Sequence, residues 1–213
     1  MAAVTQTTVP TPYGDGRLLQ RRAARPVATM LLSHGAGGGV DSRDLQALAL
    51  GLPSYGVSVL LFEQPWKVAG KKIASPPKTL DTGLTAVADQ LRSRTPLIVG
   101  GRSAGARSAC RTAKSLGATG CLALAFPLHP PGRPEKSRLD ELAHTQLPTL
   151  VVQGERDPFG RPEEFPALPR TELVEVPYAD HGFKIPARHL AAEEMSLRGI
   201  VDAVAEWTLR LVG

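Results

Sequence analysis

Two cysteines in 213 residues are too few for a disulfide framework, and Cys110 and Cys121 fall in one expected helix and the strand expected after it. That scarcity points to a reducing compartment, so a cytoplasmic location is the expectation. The five histidines show no metal-ligand spacing, with neither H-x-x-x-H nor H-E-x-x-H, and no metal or other cofactor is expected. Aromatic residues make up 5% of the chain. The basic stretch Arg17, Arg21, Arg22 and Arg25 has only Tyr13 beside it, which is poor material for a nucleic-acid surface. No apolar run approaches the roughly 18 residues of a membrane helix. The opening MAAVTQTTVPTPYGDG has neither the basic start nor the apolar core of a signal peptide, and the run behind Arg21-Arg22 is too short for a twin-arginine signal. Internal repeats and low-complexity linkers are also lacking.

A hydrophobic fraction of 42% fits an ordinary globular protein, and the length fits one domain over residues 1–213, with residues 1–12 as an extended or mobile arm. The net charge of +5 is a mild bias that serves solubility or attracts an anion.

Continuous apolar runs of strand length recur at Val27–Ser33, Val57–Phe62, Thr119–Phe126 and Pro148–Gln153, with a shorter one ending in Gly100-Gly101 and a last strand at Thr171–Val176. Helical spacing separates them. Asp41 or Ser42 caps a helix to about Gly51 with Leu45, Leu48 and Ala49 inward. A second runs from about Thr79 to Arg92, a third from Ser103 to about Leu116 before Gly117, and a last from about Ser196 to Leu211. This alternation predicts an α/β fold: a doubly wound, mostly parallel sheet with helices on both faces. Ligands in such sheets bind beyond the carboxyl ends of the strands.

The residues that carry chemistry all follow strands. Gly101-Arg102-Ser103-Ala104-Gly105 fits G-x-S-x-G between a strand and a helix, where the flanking glycines let a strained serine turn clear its neighbours. His34-Gly35-Ala36-Gly37-Gly38-Gly39 reads either as a phosphate loop, which Val40 spoils, or as an oxyanion loop. With Ser103 present the second reading is preferred, the amide of Ala36 or Gly37 acting with that of Ala104. Asp157, in Gly154-Glu155-Arg156-Asp157-Pro158, is the expected acid, with Glu155 and Asp180 as rivals, and His181 is the expected base. Asp157 would orient His181, His181 would deprotonate Ser103, and Ser103 would attack a carbonyl to form an acyl-enzyme released by water. His34, Trp66, Arg102 and His129 are expected to line the substrate site, while Arg107 and Arg111 are read as surface solvation. Lys67, Lys71, Lys72, Arg133, Lys136 and Arg138 fall on loops at the same sheet edge. They suit either an anionic ester or a solvated basic rim.

Through HGAGGG, GGRSAGAR, GERDPFG and ADHGFK the chain resembles the α/β-hydrolase superfamily from about Val27 to Val212. The short crossover from Pro127 to about Gln146 resembles the small lid-less, dienelactone-hydrolase-like group, including the branch with the regulatory subunits of the NSL histone acetyltransferase complex. Ser103 stands where dienelactone hydrolase itself has Cys. The resemblance implies a carboxylesterase or dienelactone-hydrolase-like serine hydrolase with Ser103, Asp157 and His181 as its triad. Its substrate would be a small ester, thioester or lactone. The expected protein is a monomer or homodimer with no nucleic-acid or membrane partner. The regulatory-subunit branch implies the other reading, a non-catalytic binding or scaffold protein on the same fold.

Overall fold

The apolar runs become the middle of a sheet in the computed structural model, which describes residues 4–91, 93–189 and 191–213. Its strands are β1 (Val4–Thr11), β2 (Gly14–Arg21), β3 (Ala28–Ser33), β4 (Val57–Glu63), β5 (Leu97–Arg102), β6 (Gly120–Leu124), β7 (Thr149–Gly154) and β8 (Thr171–Val176). They lie in the order β1-β2-β4-β3-β5-β6-β7-β8. From β4 to β8 across this order every pair is parallel, while β1 with β2 and β2 with β4 are antiparallel. The Thr- and Pro-rich beginning, from Val4, is therefore a paired strand, and the basic stretch after it is the second arm of a hairpin.

Six helices flank the sheet among the described residues: α1 (Arg43–Gly51), α2 (Pro65–Val68), α3 (Pro77–Gln90), α4 (Ala104–Thr112), α5 (Leu139–Ala143) and α6 (Ala191–Val212). The helix expected to reach Arg92 ends at Gln90, and Arg92 lies outside the described residues. The last helix begins five positions before the expected Ser196.

Strand periodicity sorts the core into two layers, because successive side chains leave opposite faces. Met30, Leu32, Val59, Leu61, Ile98, Leu122 and Val152 pack with Leu45 and Leu48 of α1 and Ile200, Val204 and Trp207 of α6. Leu31, Leu60, Phe62, Val99, Cys121 and Val151 pack on the other face with Leu84 and Val87 of α3, Ala106 and Ala109 of α4, and Leu142 of α5. A strand with apolar residues at both parities is buried on both faces, as β3 is throughout its length. Cys110 and Cys121 are free, buried thiols with sulfurs 3.9 Å apart.

The chain passes from β3 outward to β4 and then back over β3 to β5, so β3 and β5 are neighbours whose helices leave on opposite faces. This reversal opens a crevice at their carboxyl ends. The loop after β3 and the turn after β5 meet there.

Arg107 and Arg111 are not simply solvated, as expected from the sequence. Arg107 forks onto Glu141 of α5 at 2.6 and 2.7 Å, and Arg111 forks onto Asp81 of α3 at 2.8 Å while also reaching Glu141 at 2.9 Å. Ser108 Oγ donates to the same Asp81 at 2.7 Å. Helix α4, which begins one residue after Ser103, is thereby fixed to α3 and α5.

Candidate active site

Ser103 sits between β5 and α4 with φ 53° and ψ −113°, a conformation that a residue with a side chain adopts only at a cost of roughly 1–3 kcal/mol. The surroundings impose it. Its N–H donates to the Leu124 carbonyl of β6 at 2.9 Å, and its own carbonyl accepts the first helical bond, from the Arg107 N–H, at 3.1 Å. A Cβ on Gly101 would lie 2.5 Å from the Ser33 carbonyl oxygen, and one on Gly105 would lie 2.3 Å from it. The two glycines let the turn press against the end of β3.

His181 Nε2 lies 3.0 Å from Ser103 Oγ, and its Nδ1 lies 2.7 Å from Asp157 Oδ2. Asp157 is completely buried. An ionised carboxylate only accepts, so Nδ1 carries the proton and Nε2 is left to accept from the serine hydroxyl. Two further donors reach Asp157: Gln153 Nε2 to Oδ2 at 2.9 Å and the Phe159 N–H to Oδ1 at 2.8 Å. The Phe159 ring lies against the His181 ring with centroids 4.3 Å apart.

Local chemistry explains how the acid and the imidazole meet. A Cβ on Gly154, at the end of β7, would lie 2.6 Å from the Ala179 carbonyl, so the loops after β7 and β8 touch. The Arg156 N–H donates to that same carbonyl at 2.9 Å. Asp180 Oδ1 accepts from the Gly182 and Lys184 amides at 2.7 and 2.9 Å, closing the turn that presents His181. Glu155 accepts from the Tyr178 N–H at 2.5 Å. The two rival acids therefore build backbone turns, and only Asp157 meets His181.

The loop after β3 lies beside Ser103, since a Cβ on Gly35 would be 3.2 Å from that of Ser103. Ala36 and Gly37 are exposed at its tip. Ala104 is the first residue of α4, where amides have no partner within the helix. His34 anchors the loop. Its Nε2 accepts from the Gln64 N–H at 3.0 Å and its Nδ1–H donates to the Gly35 carbonyl at 2.8 Å, a pattern that requires the neutral ring. Burial pushes its pKa down, in accord with that state. Both nitrogens are engaged by the main chain.

The other expected lining residues are scattered. Trp66 is buried in α2 against His34, ring centroids 5.4 Å apart, and borders a cavity with Ala36 and Gly37. Arg102 turns away from solvent: its Nη2 donates to the His181 carbonyl at 2.6 Å and its Nε lies 3.2 Å from Asp44 Oδ2. His129 sits on the crossover after β6, bonded through Nδ1 to the Pro130 carbonyl at 3.0 Å and through Nε2 to Glu164 at 2.8 Å. A cavity of about 400 Å³ bordered by Thr29, Gln90 and Thr95 opens at the amino ends of the parallel strands, away from Ser103. Among the described residues no cluster of His, Cys, Asp or Glu could hold a metal, and no helix is long and apolar enough to cross a membrane.

A family model described as an alpha/beta hydrolase domain matches residues 26–209. The chain belongs to this α/β hydrolase family. In fold it is similar to the dienelactone hydrolase of Anabaena variabilis, with 18% identity, a TM-score of 0.76, and 100% of this chain and 99% of that one covered. It is similar to an α/β serine hydrolase without a lid from Xanthomonas campestris, at 20% identity and TM-score 0.69, covering 92% and 94% of the two chains. A third similar fold is the esterase domain of a Rhodothermus marinus protein, at 15% identity and TM-score 0.74, covering 99% and 100%. No curated protein matches the chain in sequence. Between β6 and β7 this hydrolase carries two short helical segments, Pro134–Lys136 and α5.

Gln153, Phe159 and Asp44 are the site residues that the sequence reading passed over. Gln153 closes an otherwise apolar strand, and Asp44 lies on the same stripe of α1 as Leu45 and Leu48. A polar residue at a core position was the available signal in both cases. Phe159 carried none.

Proposed function

We propose that this hydrolase cleaves a carboxylic ester, thioester or lactone of a small molecule through Ser103, His181 and Asp157. The observation that carries the reading is the unbroken chain of contacts from Ser103 Oγ through both nitrogens of His181 to the buried Asp157. Oγ attacks the carbonyl carbon as its proton passes to Nε2. Asp157 keeps the imidazole in the tautomer that can accept this proton and stabilises the cation that results. The carbonyl electrons move to oxygen, where the amides of Ala104 and of Ala36 or Gly37 receive the charge, each worth roughly 3 kcal/mol in the transition state. Collapse of this intermediate expels the alcohol or thiol, protonated by Nε2, and leaves an acyl-Ser103. Water, deprotonated by His181, then releases the acid.

The test is reaction of the purified protein with a fluorophosphonate probe, read by intact mass beside Ser103→Ala, together with turnover of short aryl esters. A single adduct and turnover, both lost in Ser103→Ala, are expected. A folded wild-type protein that forms no adduct and turns over no ester would overturn the reading.

A further inference from the structure

Helix α2 and the turn after it wrap three lysines around the tip of the loop after β3. Lys67, Lys71 and Lys72 border a cavity of about 260 Å³ whose remaining walls are Ala36, Gly37, Trp66 and Gly70. Gly70 has φ +70°, and this left-handed residue turns the chain back so that the Lys71 N–H donates to the Trp66 carbonyl at 2.9 Å. The reversal returns Lys71 and Lys72 to the cavity that Lys67 already borders.

The charged residues that line the cavity are of one sign. No carboxylate lines the cavity, and none of the three ammonium groups forms an ion pair among the described residues. Glu63 and Asp41 both lie near the stem of Lys67, outside the cavity lining; Glu63 is paired with Arg17 at 3.3 Å, and the Lys67 ammonium sits 6.0 Å from the centroid of the Trp66 ring. Three like charges lining one cavity with no carboxylate among them repel one another, so the arrangement favours a bound anion. The glycines of the loop point the same way. Gly37 and Gly38 have no positive φ, and a Cβ on either would meet nothing within 4 Å, so neither backbone strain nor packing calls for glycine. A side chain at Gly37 would reduce the space beside the cavity wall.

We propose that this cavity is an anion subsite, and that the substrate carries a compact carboxylate or phosphate close to the scissile carbonyl. The inference rests on the serine-hydrolase reading, since Ala36 and Gly37 would serve both the oxyanion and the cavity wall. Arg133, Lys136 and Arg138 are not part of this subsite. Arg138 is spent on the Pro127 carbonyl at 3.0 Å, and the other two lie on the crossover after β6.

The experiment compares para-nitrophenyl hydrogen glutarate with its methyl ester, in which one added methyl group removes the terminal charge, on the full chain at low salt, with release of para-nitrophenol as the readout. The charged ester is expected to have a kcat/KM about tenfold higher, with the preference falling towards one in Lys71→Gln/Lys72→Gln and in about 0.5 M NaCl. Lys114→Gln, which removes one positive charge just beyond the end of α4, retains it. Competitive inhibition by glutarate against inorganic phosphate separates the two anions. Turnover of both esters without preference, or a preference that survives loss of both lysines, overturns the subsite while leaving the hydrolase reading intact. Should neither ester turn over, calorimetric titration of Ser103→Ala with glutarate and with phosphate decides. Saturable binding lost in the lysine variant supports the subsite, and no binding overturns it.

Discussion

Arg102 Nη2 donates to the main-chain carbonyl oxygen of His181 at 2.6 Å, so the residue before Ser103 holds the loop whose imidazole faces that serine. Its Nε lies beside Asp44, a completely buried acid of α1. One guanidinium thus joins β5, the loop after β8 and the helix after β3. The spacing between Ser103 and His181 is supported by a contact outside the pair itself.

Arg102→Met should lower kcat for ester hydrolysis by about a hundredfold, as expected when reacting groups drift by about 1 Å. It should also cost about 3 kcal/mol of stability by leaving Asp44 buried without its counter-ion. Burial already raises the Asp44 pKa, and Arg102 offsets part of that rise. Without Arg102 the folded-state pKa climbs further, so folding takes up a proton and the variant gains stability as pH falls through that pKa. Denaturant unfolding at about pH 5 and about pH 8 should show the larger deficit at the higher pH. Asp44→Asn in the same chain should recover part of the stability, and Arg102→Lys part of the kcat.

Gln153 donates to Asp157 Oδ2 at 2.9 Å and to the Gly160 carbonyl at 2.7 Å from a completely buried position. Gln153→Leu should cost about 2 kcal/mol by leaving buried acceptors short of a donor. Gln153→Glu should also reduce kcat, because it replaces the Nε2 donor to Asp157 Oδ2 with a second carboxyl set against the first. Thermal melts and steady-state kinetics of the two variants check both effects.

Gly105→Ala would set a methyl group 2.3 Å from the Ser33 carbonyl oxygen and 2.8 Å from that of His34. Backbone cannot yield cheaply, so a loss of at least about 1–3 kcal/mol is expected. Gly37→Ala meets nothing within 4 Å and should change stability by less than about 0.5 kcal/mol. Paired urea melts of the two variants provide the comparison.

Burial opposes the charge on Glu141, but the bonds from Arg107 and Arg111 outweigh it and hold its pKa below the ordinary value. A depressed carboxyl contributes stability above its unfolded pKa and loses it as pH falls through the folded one. Glu141→Gln should therefore cost about 1–2 kcal/mol at neutral pH. The difference from wild type should shrink below about pH 4, as urea melts across that range would show.

The buried parallel strands were legible because β3, β4, β6 and β7 are short runs apolar at both parities, the pattern expected of a sheet covered on both faces. Val4–Thr11 was not legible as a strand: its pairing with β2 depends on hydrogen bonds that any sequence can make. The start of α6 at Ala191 was missed because the apolar stripe marks where a helix meets the sheet, and the sequence AAEEM before Ser196 carries no such stripe.

Sequence by itself determined the order of strand and helix and the G-x-S-x-G turn, since both follow from local periodicity and from residue size at adjacent positions. It also set Asp157 and His181 on loops after strands. Which acid meets the imidazole was decided by tertiary structure, because backbone amides take up the carboxylates of Glu155 and Asp180 while that of Asp157 meets the side chains of His181 and Gln153. The same holds for Arg102, expected to line the site, and for Arg107 and Arg111, expected to be solvated. Their partners come from other helices and loops, and a long flexible cation takes its role from whatever acceptor the fold brings within reach.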